Sequence, residues 1–209
     1  MTDVIVTCKN DFGLITLNNP STHNALKKSD IKTIRDAFSK WRNEQLVAII
    51  ITGNGKSFCS GLFLDEFDYK AWDKNPITLI CEDIENCNCP VICALNGGAY
   101  GGAVEIALSC DFRIVNHRLS LMVPASRLGI HYEPSGLRRA LNVLGPSLTR
   151  RMFLLGDIIH FEDILKTNFI DFCVQDGETV EDKSIKVLES LRKNSSLAVS
   201  GMKKTIVEI

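Results

Sequence analysis

The run Val47-Ala48-Ile49-Ile50-Ile51-Thr52 constrains the fold more than any other stretch of the chain. Its apolar side chains barely alternate with polar ones, so it reads as a strand buried on both faces, and both sides of its sheet must be covered. The neighbouring residues supply the cover. Ile31, Ile34, Phe38 and Trp41 recur at helical spacing before the run, and Ser29 is placed to cap that helix. The alternation repeats with a helix around Ile77 to Ile84, a strand Val91 to Leu95, and a glycine-opened helix from about Gly101 to Ser109. Strands around Phe112 to Val115 and Leu119 to Val123 follow. The pattern predicts an α/β architecture.

The two ends differ from this middle. Val4 to Thr7 and Leu14 to Leu17 flank Asn10-Asp11-Phe12-Gly13, a hairpin signal. From Pro134 the pattern is helical through Leu137, Leu141, Leu144, Leu148, Phe153, Leu155 and the stretch Phe161 to Lys166. A short strand Phe169 to Val174 precedes two more helical stretches that run to Ile209. No repeat, low-complexity tract or composition break divides the chain. It reads as a single domain over 1–209, with a core of about 1–193 and a helical tail at 194–209.

Charge narrows the partners. Twenty-four Lys plus Arg against 25 Asp plus Glu leave a formal charge of -1. No long-range field draws nucleic acid or an anionic membrane, and a small-molecule partner fits better. The segment Met1 to Lys9 lacks the features of a secretory signal, and no apolar run reaches bilayer length. A cytoplasmic protein is expected. Its eight cysteines lie among core residues and are read as reduced. Cys81, Cys87, Cys89 and Cys93 lack the paired short loops of a structural zinc site, so they are read as thiols around a helix-to-strand junction and no metal is expected.

Two glycine-rich segments, Gly53 to Leu62 and Asn96 to Glu105, each follow the carboxyl end of a strand. Ligands of open α/β sheets sit beyond those ends, and glycine lets backbone N–H groups approach a ligand closely. Gly102 opens a helix, so its N–H is an unsatisfied donor backed by the helix dipole, suited to an oxygen that gains negative charge. Glycine pairs after strands also serve plain helix–strand packing, and residues alone leave both readings open. Neither turn reads G-x-G-x-x-G, so a dinucleotide site is disfavoured.

The order of the motifs resembles the enoyl-CoA hydratase/isomerase (crotonase) superfamily. The match runs through Leu17-Asn18-Asn19-Pro20, Asn24-Ala25-Leu26, Ile51-Thr52-Gly53, Phe58-Cys59-Ser60-Gly61 and Pro90 to Gly97. It continues through Gly101 to Ile114, Leu128-Gly129-Ile130 and Leu144-Gly145-Pro146. The resemblance implies a ClpP/crotonase-like spiral of ββα units with a helical C-terminal part that is shortened. It further implies an acyl-CoA thioester as substrate, with coenzyme A as part of that substrate and no separate cofactor. The carbonyl would be held by the amides of Leu62 and Gly102. Ala25, Ser60, Gly61, Leu62, Phe63, Gly101 and Gly102 match the substrate-binding loops, with Phe63 where aspartate is usual, and Lys27 and Lys28 are candidates for the CoA phosphates. A homo-oligomer, a trimer or dimer of trimers, is also implied.

In the family's hydratases two glutamates hold a water. The first matches Glu105, one helical turn after Gly102 and expected to face the same cleft, where partial burial would raise its pKa for acid–base work. The second is replaced, because the chain reads Val123-Pro124-Ala125-Ser126-Arg127. His131, Tyr132 and Glu133 follow as possible substitutes or plain loop residues. Losing one proton-transfer group typically costs on the order of 10²–10⁴ in rate. The expectation is therefore a lyase or isomerase that uses Glu105; the alternatives are a degenerate paralogue that binds acyl-CoA without turnover and a scaffold that binds none.

Overall fold

A computed structural model describes residues 2–67 and 74–209. In chain order the strands are β1 (Val4–Lys9), β2 (Phe12–Leu17), β3 (Ala48–Gly53), β4 (Ser57–Cys59) and β5 (Val91–Leu95). They continue with β6 (Gly98–Tyr100), β7 (Phe112–Val115), β8 (Ser120–Met122), β9 (Ile159–His160) and β10 (Phe172–Cys173). The α-helices are α1 (Lys28–Trp41), α2 (Pro76–Glu85), α3 (Gly102–Ser109), α4 (Pro134–Arg150), α5 (Phe161–Ile164), α6 (Val180–Leu191) and α7 (Ser196–Glu208).

The first sheet runs β1-β2-β3-β5-β7-β10. The β1–β2 hairpin is antiparallel, and β2, β3, β5, β7 and β10 pair in parallel. Every residue of β3 is buried, as its unbroken apolar run requires. Ile49 and Ile51 face the core under α1, α2 and α3, whereas Ala48 and Ile50 face Val180, Val187 and Leu188 of α6. The two sides of one strand thus fix the positions of four helices.

The glycine-rich segments do more than turn. Each continues into a three-residue strand, and β4-β6-β8-β9 form a second sheet that the sequence pattern does not reveal for β4, β6 and β9. Strands this short carry too few side chains for a period of two to register. Only Asn96 and Gly97 separate β5 from β6, so the chain changes sheets within two residues. The units β3–β4–α2, β5–β6–α3 and β7–β8–α4 then repeat one ββα pattern, the spiral expected above.

Three local expectations change. Helix α1 begins at Lys28, one residue before Ser29, and the capping acceptor is Asp30: its Oδ2 accepts the Lys27 N–H at 2.9 Å and its Oδ1 accepts the Asp3 N–H at 2.8 Å. The strand expected over Phe169 to Val174 shrinks to β10, because the Phe169 carbonyl is taken by Arg113 Nε at 2.6 Å. Helix α4 is bent at Gly145 (φ 75, ψ 169), where Pro146 follows and cannot donate to the ladder. The tail helix α7 docks through Lys203, whose Nζ donates to the carbonyls of Ile84 and Cys89 at 3.0 Å each and to Asp111 Oδ2 at 2.7 Å. Its other face leaves Leu197, Met202 and Ile206 exposed. Among the described residues no helix is long and apolar enough to cross a membrane.

The cysteines are free thiols. Cys81 and Cys93 are buried in the core, and Cys93 meets Cys110 instead of Cys87 or Cys89. The four cysteines near the α2–β5 junction therefore do not converge on a point. Among the described residues no group of three or more His, Cys, Asp or Glu is placed to hold a metal ion.

Candidate active site

The two glycine turns meet. Leu26 and Leu62 form a parallel bridge in which the Leu26 N–H donates to the Gly61 carbonyl at 2.7 Å and the Phe63 N–H donates to the Leu26 carbonyl at 2.9 Å. The residue between those two contacts turns its own N–H the other way, and no acceptor among the described residues takes the Leu62 N–H. Gly102 is the first residue of α3, and its N–H likewise has no acceptor among the described residues. Gly61 allows the approach: its φ is +86, and a Cβ there would lie 2.9 Å from both Gly102 N and the Tyr100 carbonyl oxygen.

Buried amides hold the turns. Asn24, 2% exposed with φ 57, donates from Nδ2 to the carbonyls of Asn54, Ser57 and Phe58 at 2.9, 3.0 and 3.0 Å. Its Oδ1 accepts the Asn19 N–H at 2.8 Å. Asn96 Nδ2 donates to the carbonyls of Gly55 and Ser57. Cys59 Sγ accepts the Gly61 N–H at 3.2 Å, and burial pushes its thiol up to about 12, so it packs and orients without acting as a nucleophile.

Leu62 and Gly102 both line a cavity of about 110 Å³, together with Ser60 and Gly101. The opposite wall includes Ala125, His131 and Tyr132, so the position of the missing second acid does reach the cavity and presents a methyl group there. Ala25, Gly61 and Phe63 stay behind the wall: Ala25 is buried beside the Leu26 bridge, and Phe63 leads into a short helical turn at Leu64–Glu66. Lys27 is engaged with Asp3 at 2.8 Å, and the Lys28 ammonium lies over the Phe67 ring.

Glu105, expected to face the same cleft, is not itself among the residues that line the cavity. It is buried at 2% exposure, and Arg139 of α4 donates to its Oε1 at 2.8 Å. The same guanidinium grips Glu85, the last residue of α2, through Nε and Nη2 at 2.6 and 2.7 Å. The Tyr132 hydroxyl meets the Glu105 carboxylate. Tyr132 lines the cavity, so the phenol is the group that connects Glu105 to it. Helix α4 comes this close because residue 136 is glycine: a Cβ there would lie 2.5 Å from Tyr132 Cε1 and 2.8 Å from Glu105 Oε2.

Burial pushes the Glu105 pKa above its ordinary value, against the opposing pull of Arg139 and of Tyr132. Burial and then the Glu105 charge hold the Tyr132 phenol well above its usual range. For Arg139 burial opposes the charge, but the hydrogen bonds to Glu85 and the neighbouring carboxylates outweigh it and the pKa is raised. The result is a carboxylate more basic than usual, next to a phenol that keeps its proton. Arg139 and Glu85 are absent from the sequence reading. The available signal was weak: Arg139 falls three residues after Gly136 and beside Ala140, on the face of α4 that packs inward.

Residues 7–208 match the model of the enoyl-CoA hydratase/isomerase family. The chain belongs to that family. It is 28% identical over 208 residues to the crotonyl-CoA hydratase of Syntrophomonas wolfei, with 94% of this chain and 78% of that protein covered. It is 27% identical over 201 residues to a mitochondrial enoyl-CoA hydratase of Pongo abelii, with 94% and 69% covered. Among solved structures, the enoyl-CoA hydratase of Bacillus anthracis superposes with a TM-score of 0.88 at 26% identity, over 98% of this chain and 82% of that one.

Proposed function

We propose that the protein binds an acyl-CoA thioester with its carbonyl oxygen between the N–H groups of Leu62 and Gly102, and that these amides stabilise the enolate formed when charge develops on that oxygen. The supporting observation is that two residues whose N–H groups have no acceptor among the described residues, Leu62 and Gly102, line one cavity together with Tyr132, whose phenol is backed by the buried Glu105 carboxylate. Preorganised donors in a water-poor site favour the charged intermediate without reorganising during the reaction.

Glu105 is the general acid/base, and it acts through Tyr132. As the α-carbon C–H bond breaks, its proton passes to the phenol oxygen while the phenol's own proton moves to the Glu105 carboxylate; the carbon electron pair becomes the enolate. The reverse transfer protonates the enolate at the same or another carbon. Arg139 holds the carboxylate in place for the exchange. Hydration of a double bond further calls for a second group to manage the water, and Ala125 has none, so double-bond shifts and other enolate reactions fit this site better than efficient hydration. A panel of enoyl, malonyl-type and 3-hydroxyacyl-CoA thioesters assayed by mass spectrometry tests the reading. Turnover of at least one thioester should collapse in Glu105→Gln under conditions where the variant is still folded; equal activity in that variant refutes the role.

A second reading is a degenerate paralogue that binds acyl-CoA without turnover, favoured by the methyl at Ala125 and by the grip of Arg139 on Glu105. It predicts stabilisation by acyl-CoA, since a ligand that binds only the folded state raises the melting temperature, with no product across the panel. Exposed Leu128, Leu154 and Leu155, together with the outer face of α7, support assembly into a trimer. Sedimentation at a single chain's 23.2 kDa would contradict that assembly.

A further inference from the structure

The turn between α2 and β5 carries two cysteines that the acyl-CoA site does not use. Cys87 Sγ and Cys89 Sγ lie 3.6 Å apart. Both residues line a cavity of about 640 Å³, far larger than the one at the candidate active site, with Trp41, Leu46 and Leu197 among its other walls. Cys87 is half-buried, so a small reagent in that cavity can reach it, and Cys89 is buried directly behind it. The turn itself is held: Lys203 Nζ donates to the carbonyl of Ile84 before it and to the carbonyl of Cys89 within it. Two sulfurs lie at contact distance, one reachable and one behind it, with a buried ammonium nearby.

We propose that Cys87 and Cys89 form a peroxide-reactive dithiol, in which Cys87 is the attacking thiol and Cys89 the resolving one. The Cys87 thiolate attacks a hydroperoxide oxygen, the O–O bond breaks, and the leaving hydroxide is protonated to water (an alcohol, for an alkyl hydroperoxide). Cys87 is then a sulfenic acid. The Cys89 sulfur attacks the Cys87 sulfur, the S–O bond breaks, and the departing hydroxide leaves as water with the Cys89 thiol proton. The dithiol loses two electrons and the peroxide gains them. Bond formation needs the sulfurs to close from 3.6 Å to about 2.05 Å, a movement within reach of a turn outside regular structure. The hydrogen bond from Cys89, assisted by the Lys203 ammonium, supports the first step by holding the Cys87 thiol down to about 7. The greater thiolate fraction outweighs the lower intrinsic nucleophilicity, and a rate roughly threefold above that of a free cysteine derivative is expected.

The test treats the full, reduced chain with hydrogen peroxide, blocks remaining thiols with iodoacetamide and maps the peptides. The expected product is the Cys87 to Cys89 peptide lacking two hydrogens and carrying no alkylation, formed while exposed Cys8 is still alkylated. In Cys89→Ser, dimedone should trap a sulfenic acid at Cys87, and in Cys87→Ser the peptide should stay reduced. Oxidation falling first on Cys8 or Cys173, or a Cys87 that alkylates fully after peroxide, overturns the proposal. Peptide mapping of the unaltered chain decides the matter even if a variant folds poorly, and neither readout depends on acyl-CoA turnover.

Discussion

At the residue scale the decisive contact is Arg139 between Glu85 and Glu105. Removing one partner of a buried pair leaves the other charge uncompensated, and the cost is typically several kcal/mol. Arg139→Leu should lower stability by about 3–5 kcal/mol at neutral pH, read by urea unfolding; a loss under about 1 kcal/mol would mean that the pair is solvated. The sign of the pH dependence follows from Glu105. Its folded pKa lies above the ordinary 4.5, so the folded state binds the proton more tightly than the unfolded one. That contribution to stability is full below about 4.5 and is lost as pH rises through the raised folded value. Glu105→Gln should flatten the fall over that window, and an unchanged profile of urea midpoints against pH would contradict the account. Glu105 itself was legible in the sequence as an acid on a largely apolar helix. Tyr132 was legible only as one of three possible substitutes in a loop; its place beside Glu105 was not, because which atoms meet there depends on how closely α3 and the start of α4 approach.

At the element scale that approach is set by Gly136. Gly136→Ala in α4 improves local helix propensity yet places a Cβ against Tyr132 and Glu105, and overpacking of this kind costs about 1–3 kcal/mol. The variant should be destabilised and should lose turnover, whereas a gain in melting temperature would show that α4 has room to spare. Among the described residues, the polar anchor of helix α7 is Lys203. Lys203→Ala removes three hydrogen bonds and, among the described residues, leaves the Val91 N–H as the donor to Asp111 Oδ2. The expected cost is about 2–3 kcal/mol, below the fully buried case because Asp111 is partly exposed. Hydrogen exchange should then rise first in α7, and uniform protection would argue against this docking. The long elements were readable because β3, β5, α2 and α3 carry strong apolar patterns. Strands β4, β6 and β9 were hidden because two or three residues define no period, and only tertiary pairing makes them strands.

At the scale of the whole molecule, two sheets and the helices between them bring residues 62, 102, 125 and 132 around one cavity. The positions of the glycine turns and of Ala125 were legible from motif order, which fixes where the chain leaves each strand. The ion pair between Glu105 and Arg139 was not, because charge pairing between distant helices leaves no local pattern. The central claim is that this assembly stabilises a thioester enolate, and deuterium exchange at the α-carbon of a saturated acyl-CoA in D₂O measures that step without assuming an overall reaction. The account predicts exchange well above the buffer rate in the unaltered protein, falling by on the order of 10²–10⁴ in both Tyr132→Phe and Glu105→Gln. Exchange at the buffer rate under saturating thioester would contradict it.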